Sequence, residues 1–346
     1  MGAGAWRTAP GRIPAKTEEH VKALVIGGAG YIGSHMVRAL QRAGHEVAIF
    51  DNFSTGHREA VEGLKVYEGD LLQPADLDRA LPDFTPDLVL HFAARSLVAE
   101  SMVDPALYYG NNVCGVFNLL EAMRRHGRSR LVFSSTAAVY GLPNKRRIEE
   151  DHSTQPINTY GWSKLFAERM IEDSCRSYGL RAAVLRYFNA AGADASGEIG
   201  EAHEPESHLL PNILKVAAGK APVVKLFGSD NDTRDGYCVR DFIHVTDLCD
   251  AHLLAAVALE REDLPAYQLY NLGNGQGFSV LEVLRAAEAV VGHPIPSEVA
   301  PGRAGDPPVL VAGASKARSV LGWKPQTPEL FDIIATAWRW HQAPRY

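Results

Sequence analysis

Tyr160 and Lys164 stand four positions apart in the segment TYGWSK. On a helix that spacing puts both side chains on one face. A free tyrosine titrates near 10 and is a poor base at neutral pH; each pH unit by which it is lowered takes roughly 1.4 kcal/mol of differential stabilisation. A neighbouring ammonium favours the phenolate, and a second cation in a sheltered site adds to the effect. Thr136 closes the apolar run RLVFSST and offers a hydroxyl that can align a reacting oxygen. The three read as a tunable base beside an alignment group. Tyr-x-x-x-Lys alone also fits an amphipathic helix with an exposed lysine, so the surrounding elements decide its meaning.

Those elements alternate. VKALVIG, EVAIFD, LKVYEGD, DLVLHFAA, RLVFSST and RAAVLRYFN are short apolar runs that read as buried strands. Helical spacing marks SHMVRALQRAG, ALYYGNNVCGVFNLLEAMRRHG and TYGWSKLFAERMIEDSCRSYG. Such alternation predicts an α/β fold, a doubly wound parallel sheet with helices on both faces. After Asn189 the rhythm changes. Residues 190–208 are polar, a helix is predicted from Leu209, and VVKLFG and the turn-rich SDNDTRDG follow. DFIHV reads as a strand leading into a helix near Asp247, and a terminal helix is predicted near 328–341. This remainder predicts a smaller C-terminal α/β lobe.

Between the first strand and its helix, Gly28, Gly30 and Gly33 form G-x-G-x-x-G, and Gly27, Gly30 and Gly33 form G-x-x-G-x-x-G. Either pattern leaves side chains out where a turn needs unusual dihedrals and where backbone must approach a pyrophosphate. The helix N-terminus then supplies amide donors. Asp51 ends the second strand, 18 positions after Gly33. A carboxylate there accepts from ribose hydroxyls and repels a 2′-phosphate, which favours NAD over NADP. Asp70 and Phe92-Ala93-Ala94 also fall at carboxyl ends of strands, where open α/β sheets bind ligands. Asp70 alone fits an adenine contact or a helix cap equally well.

The chain's 346 residues, 46% hydrophobic and 22% charged, suit one large or two joined soluble domains. A net charge of −6, spread along the chain, argues against a nucleic-acid or acidic-membrane surface. No stretch approaches the roughly 20 apolar residues of a membrane span. Cys114, Cys175, Cys238 and Cys249 are scattered without metal-ligand spacing, so free thiols in a cytoplasmic setting are expected and no metal site is. The Gly/Pro-rich residues 1–20 read as a disordered tail or a non-native start, without a signal-type apolar run.

The motifs GGAGYIGSH, FDN, HFAA, YYGNNVCG, FSSTAAVYG, YGWSK, LRYFNAAGA, VRDFIHV, YNLGNGQG and RAGDP together carry a resemblance. Over about residues 21–340 the chain resembles the extended short-chain dehydrogenase/reductase superfamily, and within it the UDP-glucose 4-epimerase family. That resemblance implies a Rossmann-type NAD-binding domain (21–188 plus about 241–265) and a UDP-sugar-binding lobe (189–240 plus about 266–346). Implied NAD contacts are Tyr31, Ile32, Asp51, Asn52, Asp70, Leu71, Phe92, Ala93, Ala94, Asn111, Tyr160, Lys164 and Phe188, beside Gly27, Gly28, Gly30 and Gly33. Implied UDP-hexose contacts are Thr136, Asn189, His208, Leu209, Phe227, Arg240, Arg303 and Asp306. Arg240 and Arg303 could each give paired hydrogen bonds to a diphosphate. Asp306 could bind a hydroxyl or cap the turn at Pro307. His208 stands where some relatives carry asparagine.

The resemblance implies reversible inversion at sugar C4, with Tyr160 as base and NAD transiently reduced, within galactose metabolism. It also implies a homodimer through the helices at about 105–126 and 160–178. Dehydratases of the superfamily typically carry an Asp-Glu pair after the strand-end threonine; here Ala137 and Ala138 follow Thr136, so that chemistry lacks its proton donor. Two alternatives stay open: 4-epimerisation of another UDP-sugar, namely an N-acetylhexosamine, pentose or hexuronate, and a non-catalytic NAD-sensing regulator. Leu310 matches a position whose bulk limits room at the sugar 2-substituent, and leucine is intermediate there.

Overall fold

The computed structural model describes residues 20–302 and 306–346. β1 (Lys22–Ile26) leads through the glycine turn into α1 (Tyr31–Arg42), β2 (Glu46–Asp51), β3 (Lys65–Glu68), α2 (Pro74–Phe84) and β4 (Leu88–His91). Two short helices, α3 (Val98–Val103) and α4 (Pro105–Tyr108), precede a π turn over Tyr109–Cys114 and α5 (Gly115–Arg125). β5 (Arg130–Thr136), α6 (Thr159–Tyr178) and β6 (Arg181–Tyr187) follow. Next come β7 (Asn189–Ala191), α7 (Leu209–Ala217), β8 (Val224–Phe227), β9 (Val239–Arg240), β10 (Phe242–His244), α8 (Val245–Ala258) and β11 (Tyr267–Leu272). The chain closes with β12 (Phe278–Ser279), α9 (Val280–Val291), β13 (Ser297–Ala300), β14 (Val309–Leu310), α10 (Ser315–Val320) and α11 (Leu330–Gln342).

Seven strands form one parallel sheet in the order β3-β2-β1-β4-β5-β6-β11. The order reverses between β1 and β4, which leaves a crevice at their carboxyl ends. Strand residues alternate between faces. Ala23 and Val25 of β1 pack with Met36 and Val37 of α1 and Leu248 of α8. Leu24 and Ile26 pack with Leu77 of α2, Leu119 of α5 and Ile171 of α6. Both faces are covered, which explains why these strands read as unbroken apolar runs.

The smaller lobe gathers α7, α9 and α11 around Ile213, Leu214, Val283, Ile333 and Ile334. It carries the pair β8–β13 and the three-stranded β12-β9-β14. Asp241, buried beside β9, accepts amide hydrogens from Asn274, Gly275 and Ala312 at 2.8–3.0 Å. That knot ties three loops of the lobe together.

Two expectations need correction. Residues 267–272, assigned from sequence to the sugar lobe, form β11 and pair with β6 from Tyr267↔Ala182 to Leu272↔Tyr187. α8 lies beside α1 in the same core, and the chain that follows it pairs with the open edge of the large sheet, beside β6. The long helix predicted from Ala106 is interrupted by the π turn. There Asn112 is buried, donating to the Arg95 carbonyl at 2.9 Å and to Ser163 Oγ at 3.0 Å. Widened turns of this kind cluster at functional sites. The tail, residues 1–19, lies outside the described residues. Among the described residues no helix is long and apolar enough to cross a membrane.

Candidate active site

A cleft of about 970 Å³ is walled by the carboxyl ends of β1, β2, β4, β5 and β6 and by residues of α7, β9 and β14. Tyr160 and Lys164 enter it from the first turns of α6. Asn158 starts that helix, its side-chain oxygen accepting from the Gly161 amide at 2.8 Å. Gly161 is required by packing, since a Cβ there would stand 2.6 Å from the Ala138 carbonyl oxygen.

Lys164 is 2% exposed, and its ammonium donates to the Ser134 carbonyl oxygen at 2.9 Å. Burial brings its pKa down to about 7, against the pull of Glu168 one turn further along α6. Burial also pushes the Tyr160 phenol above its ordinary value, while a hydrogen bond with Thr136 pulls it back. The sequence predicts that the lysine and a second cation together lower the phenol. In the folded chain Thr136 is the neighbour that lowers it, and burial outweighs that pull. A cation brought in with a bound ligand would add to the pull of Thr136 and favour the phenolate.

Behind the pair lies a buried network that sequence reasoning missed. Glu168 and Arg186 form a two-pronged ion pair, with Nε–Oε1 at 2.9 Å and Nη2–Oε2 at 2.5 Å. Ser135 donates to the same carboxylate at 2.5 Å. Arg186 also donates to the Tyr140 hydroxyl at 3.0 Å, and that hydroxyl donates to Asn271 at 2.7 Å. The network joins α6, β5, β6 and β11. Its available signals were an acid four positions after Lys164 and an arginine inside an apolar strand.

At the other end Gly27 has φ +76°, and a Cβ there would stand 2.5 Å from the Ala93 amide nitrogen. A Cβ on Gly33 would stand 2.1 Å from the Gly27 carbonyl oxygen. At Gly30 a Cβ would meet only that oxygen, at 3.5 Å, on a position that borders the cleft. Gly28 does not border the cleft; it faces Ile49, so packing explains it. Asp51 is buried and accepts from the amides of Ala29 and Phe53 at 2.9 and 2.8 Å. Burial raises its carboxyl and the amides partly offset this. Asn52 donates to Asp70 at 3.0 Å. Tyr31, Ile32, Leu71, Phe92, Ala93, Ala94, Asn111 and Phe188 border the same space, Asn111 being presented by the π turn. Bare backbone at a helix N-terminus and a sheltered acid at the next strand end fit a dinucleotide.

The third wall comes from the smaller lobe: Asn189, His208, Leu209, Arg240, Asp306 and Leu310. Arg240 and Asp306 pair with each other, so an anionic ligand must compete with the acid for the guanidinium. Leu310 also packs beside the Val139, Tyr140 and Leu165 cluster. Phe227, at the end of β8, does not border the cleft, and Arg303 lies outside the described residues. Glu201 and His203 do border it and were missed. Burial works against charge on both histidines, but the carboxylates outweigh it: His203 is pushed up to about 10, and His208 rises through Glu201.

A family model described as the NAD dependent epimerase/dehydratase family matches residues 23–273. The chain is 48% identical over 319 residues to the UDP-glucose 4-epimerase of Halalkalibacterium halodurans, covering 92% of this chain and 95% of that protein. It is similar to the UDP-glucose 4-epimerase of Brucella ovis solved in complex with NAD, with a TM-score of 0.88 and 44% identity, covering 92% of this chain and 97% of that one. It is also similar to the UDP-glucose-4-epimerase of Stenotrophomonas maltophila with bound NAD and formylated UDP-arabinopyranose: TM-score 0.90, 40% identity, 94% and 98% covered.

Proposed function

The chain belongs to the NAD-dependent epimerase/dehydratase family, and from that premise we propose that it is a UDP-glucose 4-epimerase interconverting UDP-galactose and UDP-glucose. One observation carries the reading: Tyr160 and Lys164 border a single cleft with a dinucleotide-type turn at one end and the Arg240 wall of the smaller lobe at the other. NAD, when bound, supplies reversible hydride acceptance at sugar C4. Tyr160 takes the proton of the 4-hydroxyl as the carbonyl forms and gives it back to that oxygen when C4 is reduced again on its opposite face. Thr136 aligns that oxygen and steadies the phenol. Lys164, held by the Ser134 carbonyl, keeps a fixed place one turn below the base. Arg240 meets the diphosphate, so the nucleotide is anchored away from the chemistry and the sugar is left free to turn. Ala137 and Ala138 offer no acid to expel a hydroxyl, which favours epimerisation over dehydration. Both members of the base pair are retained and sheltered, which supports an enzyme over a silent NAD sensor.

The exposed apolar side chains of α5 and α6 support a homodimer. Phe117 is 54% exposed and Phe166 44%. Tyr109 and Trp162 flank Phe166 with ring centroids at 6.0 and 5.7 Å. Four unpaired thiols support a reducing, cytoplasmic setting for a role in galactose metabolism.

The test is to incubate purified protein with UDP-galactose, UDP-glucose and their N-acetyl forms and follow interconversion. Equilibration of the hexose pair without net reduction of NAD is expected. An inert wild-type protein that still binds NAD would overturn the assignment.

A further inference from the structure

The wall of the cleft formed by residues 201–208 contains a side-chain set of which only His208 is implied as a sugar-nucleotide contact, and which takes no part in the proton and hydride steps proposed above. Glu201, His203, Glu206 and His208 each bring one ligand atom to within 4.8 Å of the others. We propose that these four residues form a binding site for one divalent transition-metal ion of zinc type, which pins this wall of the cleft.

Three of the four donor separations lie near those of a coordination shell; the fourth, His208 Nδ1 to Glu201 Oε1, is a short hydrogen bond that an entering ion would open. With metal–ligand bonds of about 2.0–2.1 Å, neighbouring donors of a tetrahedral zinc shell lie about 3.3 Å apart. Here His203 Nδ1 lies 3.4 Å from Glu201 Oε1 and 3.6 Å from Glu206 Oε2. His208 Nδ1 lies 2.5 Å from Glu201 Oε1 and 3.8 Å from Glu206 Oε1. His203 Nδ1 is sealed from solvent between the two carboxylates, at ion-pair distances but without the geometry of a hydrogen bond to either. A shared ion would join that atom to both carboxylates at bonding distance.

Charge leads the same way. The side chains of Glu201 and Glu206 are 5% and 2% exposed. Two carboxylates sealed together are costly without matching positive charge. The two imidazoles supply that charge when protonated; a bound dication would replace those two protons and take the imidazoles as neutral ligands. Two nitrogens with two carboxylate oxygens select zinc-like ions over calcium or magnesium, which prefer all-oxygen shells.

The ligands are also held from outside, as metal ligands usually are. Trp340 Nε1 donates to the Glu201 carbonyl oxygen at 3.0 Å. The amides of Ser207 and His208 both donate to Glu206 Oε1 at 2.8 Å. The rings of Tyr31 and His203 meet edge-on at 6.3 Å. Four protein ligands leave no open position, so the ion's part is to hold the wall and not to activate water.

The test uses tag-free, full-length protein, treated with chelator and desalted, then titrated with ZnCl2 and separately with CoCl2. One equivalent of zinc should bind, and cobalt should give the intense visible bands of a four-coordinate centre. His203→Ala and Glu206→Gln should each weaken binding by at least the roughly 10–100-fold that loss of an outer-shell partner costs. Circular dichroism and melting check that both variants are folded, and the wild-type cobalt spectrum needs no variant. Absence of stoichiometric binding, a six-coordinate cobalt spectrum, or undiminished binding by either folded variant overturns the proposal.

Discussion

Lys164 on α6 points its ammonium at the carbonyl oxygen of Ser134 on β5, 2.9 Å away, in a pocket where the lysine is 2% exposed. The strand end thus fixes the lysine, and the lysine and Thr136 frame Tyr160.

Lys164 carries a stability cost with a definite sign. Its pKa is about 7 in the folded chain, below that of an unfolded lysine at about 10.4. Between those values the unfolded chain binds the extra proton, so this residue makes stability rise with pH. The cost is fully present below about pH 7 and is lost as pH climbs towards 10. Urea unfolding should show Lys164→Met more stable than wild type near pH 7, with the gap shrinking by pH 9 to 10. A gap that widens with pH would contradict the assignment.

Tyr160→Phe removes the base without disturbing the backbone. Turnover of UDP-galactose should fall by roughly 10²–10⁴, the usual worth of a positioned general base, while NAD remains bound. The ratio of bound NAD to protein, read alongside the rate, separates loss of chemistry from loss of cofactor.

Breaking the buried ion pair should be costly. Glu168→Gln leaves Arg186 without its counter-charge, and such a break destabilises by about 3–5 kcal/mol. Glu172→Gln, further along α6 in an exposed pair with Arg169, serves as control and should leave the unfolding midpoint unchanged. Equal midpoints for the two variants would refute a structural role for the Glu168–Arg186 network.

Two glycines of one turn should respond differently. At Gly33 a methyl would collide with the Gly27 carbonyl oxygen at 2.1 Å, so Gly33→Ala should lower the melting temperature. At Gly30 the protein leaves ordinary contact distance, 3.5 Å, so Gly30→Ala should fold normally. Its methyl would instead stand where the dinucleotide backbone approaches, and NAD titration should show weakened binding.

Placing charge on the aromatic face of α6 tests the dimer. Phe166→Glu, between Tyr109 and Trp162, should shift the mass measured by light scattering from two chains to one, without lowering helix content. A wild-type protein that is already monomeric would remove the premise.

Local order was legible because it is local. The strand runs, the glycine turn, Asp51 at the next strand end and the Tyr160–Lys164 spacing all follow from short-range periodicity and backbone geometry, which neighbouring residues carry among themselves. Where ionisable groups meet was not legible, because that depends on chain crossings. Arg186 reaches Tyr140 across 46 positions and Tyr140 reaches Asn271 across 131. Arg240 finds Asp306 across 66. β11 joins the large sheet by pairing with β6, whose residues lie far away in sequence, a contact that no local window contains. The pair therefore stood in the sequence as a possible base, and the fold decided its proton affinity: burial weakens the charge on Lys164 and leaves Thr136 as the neighbour that lowers the phenol.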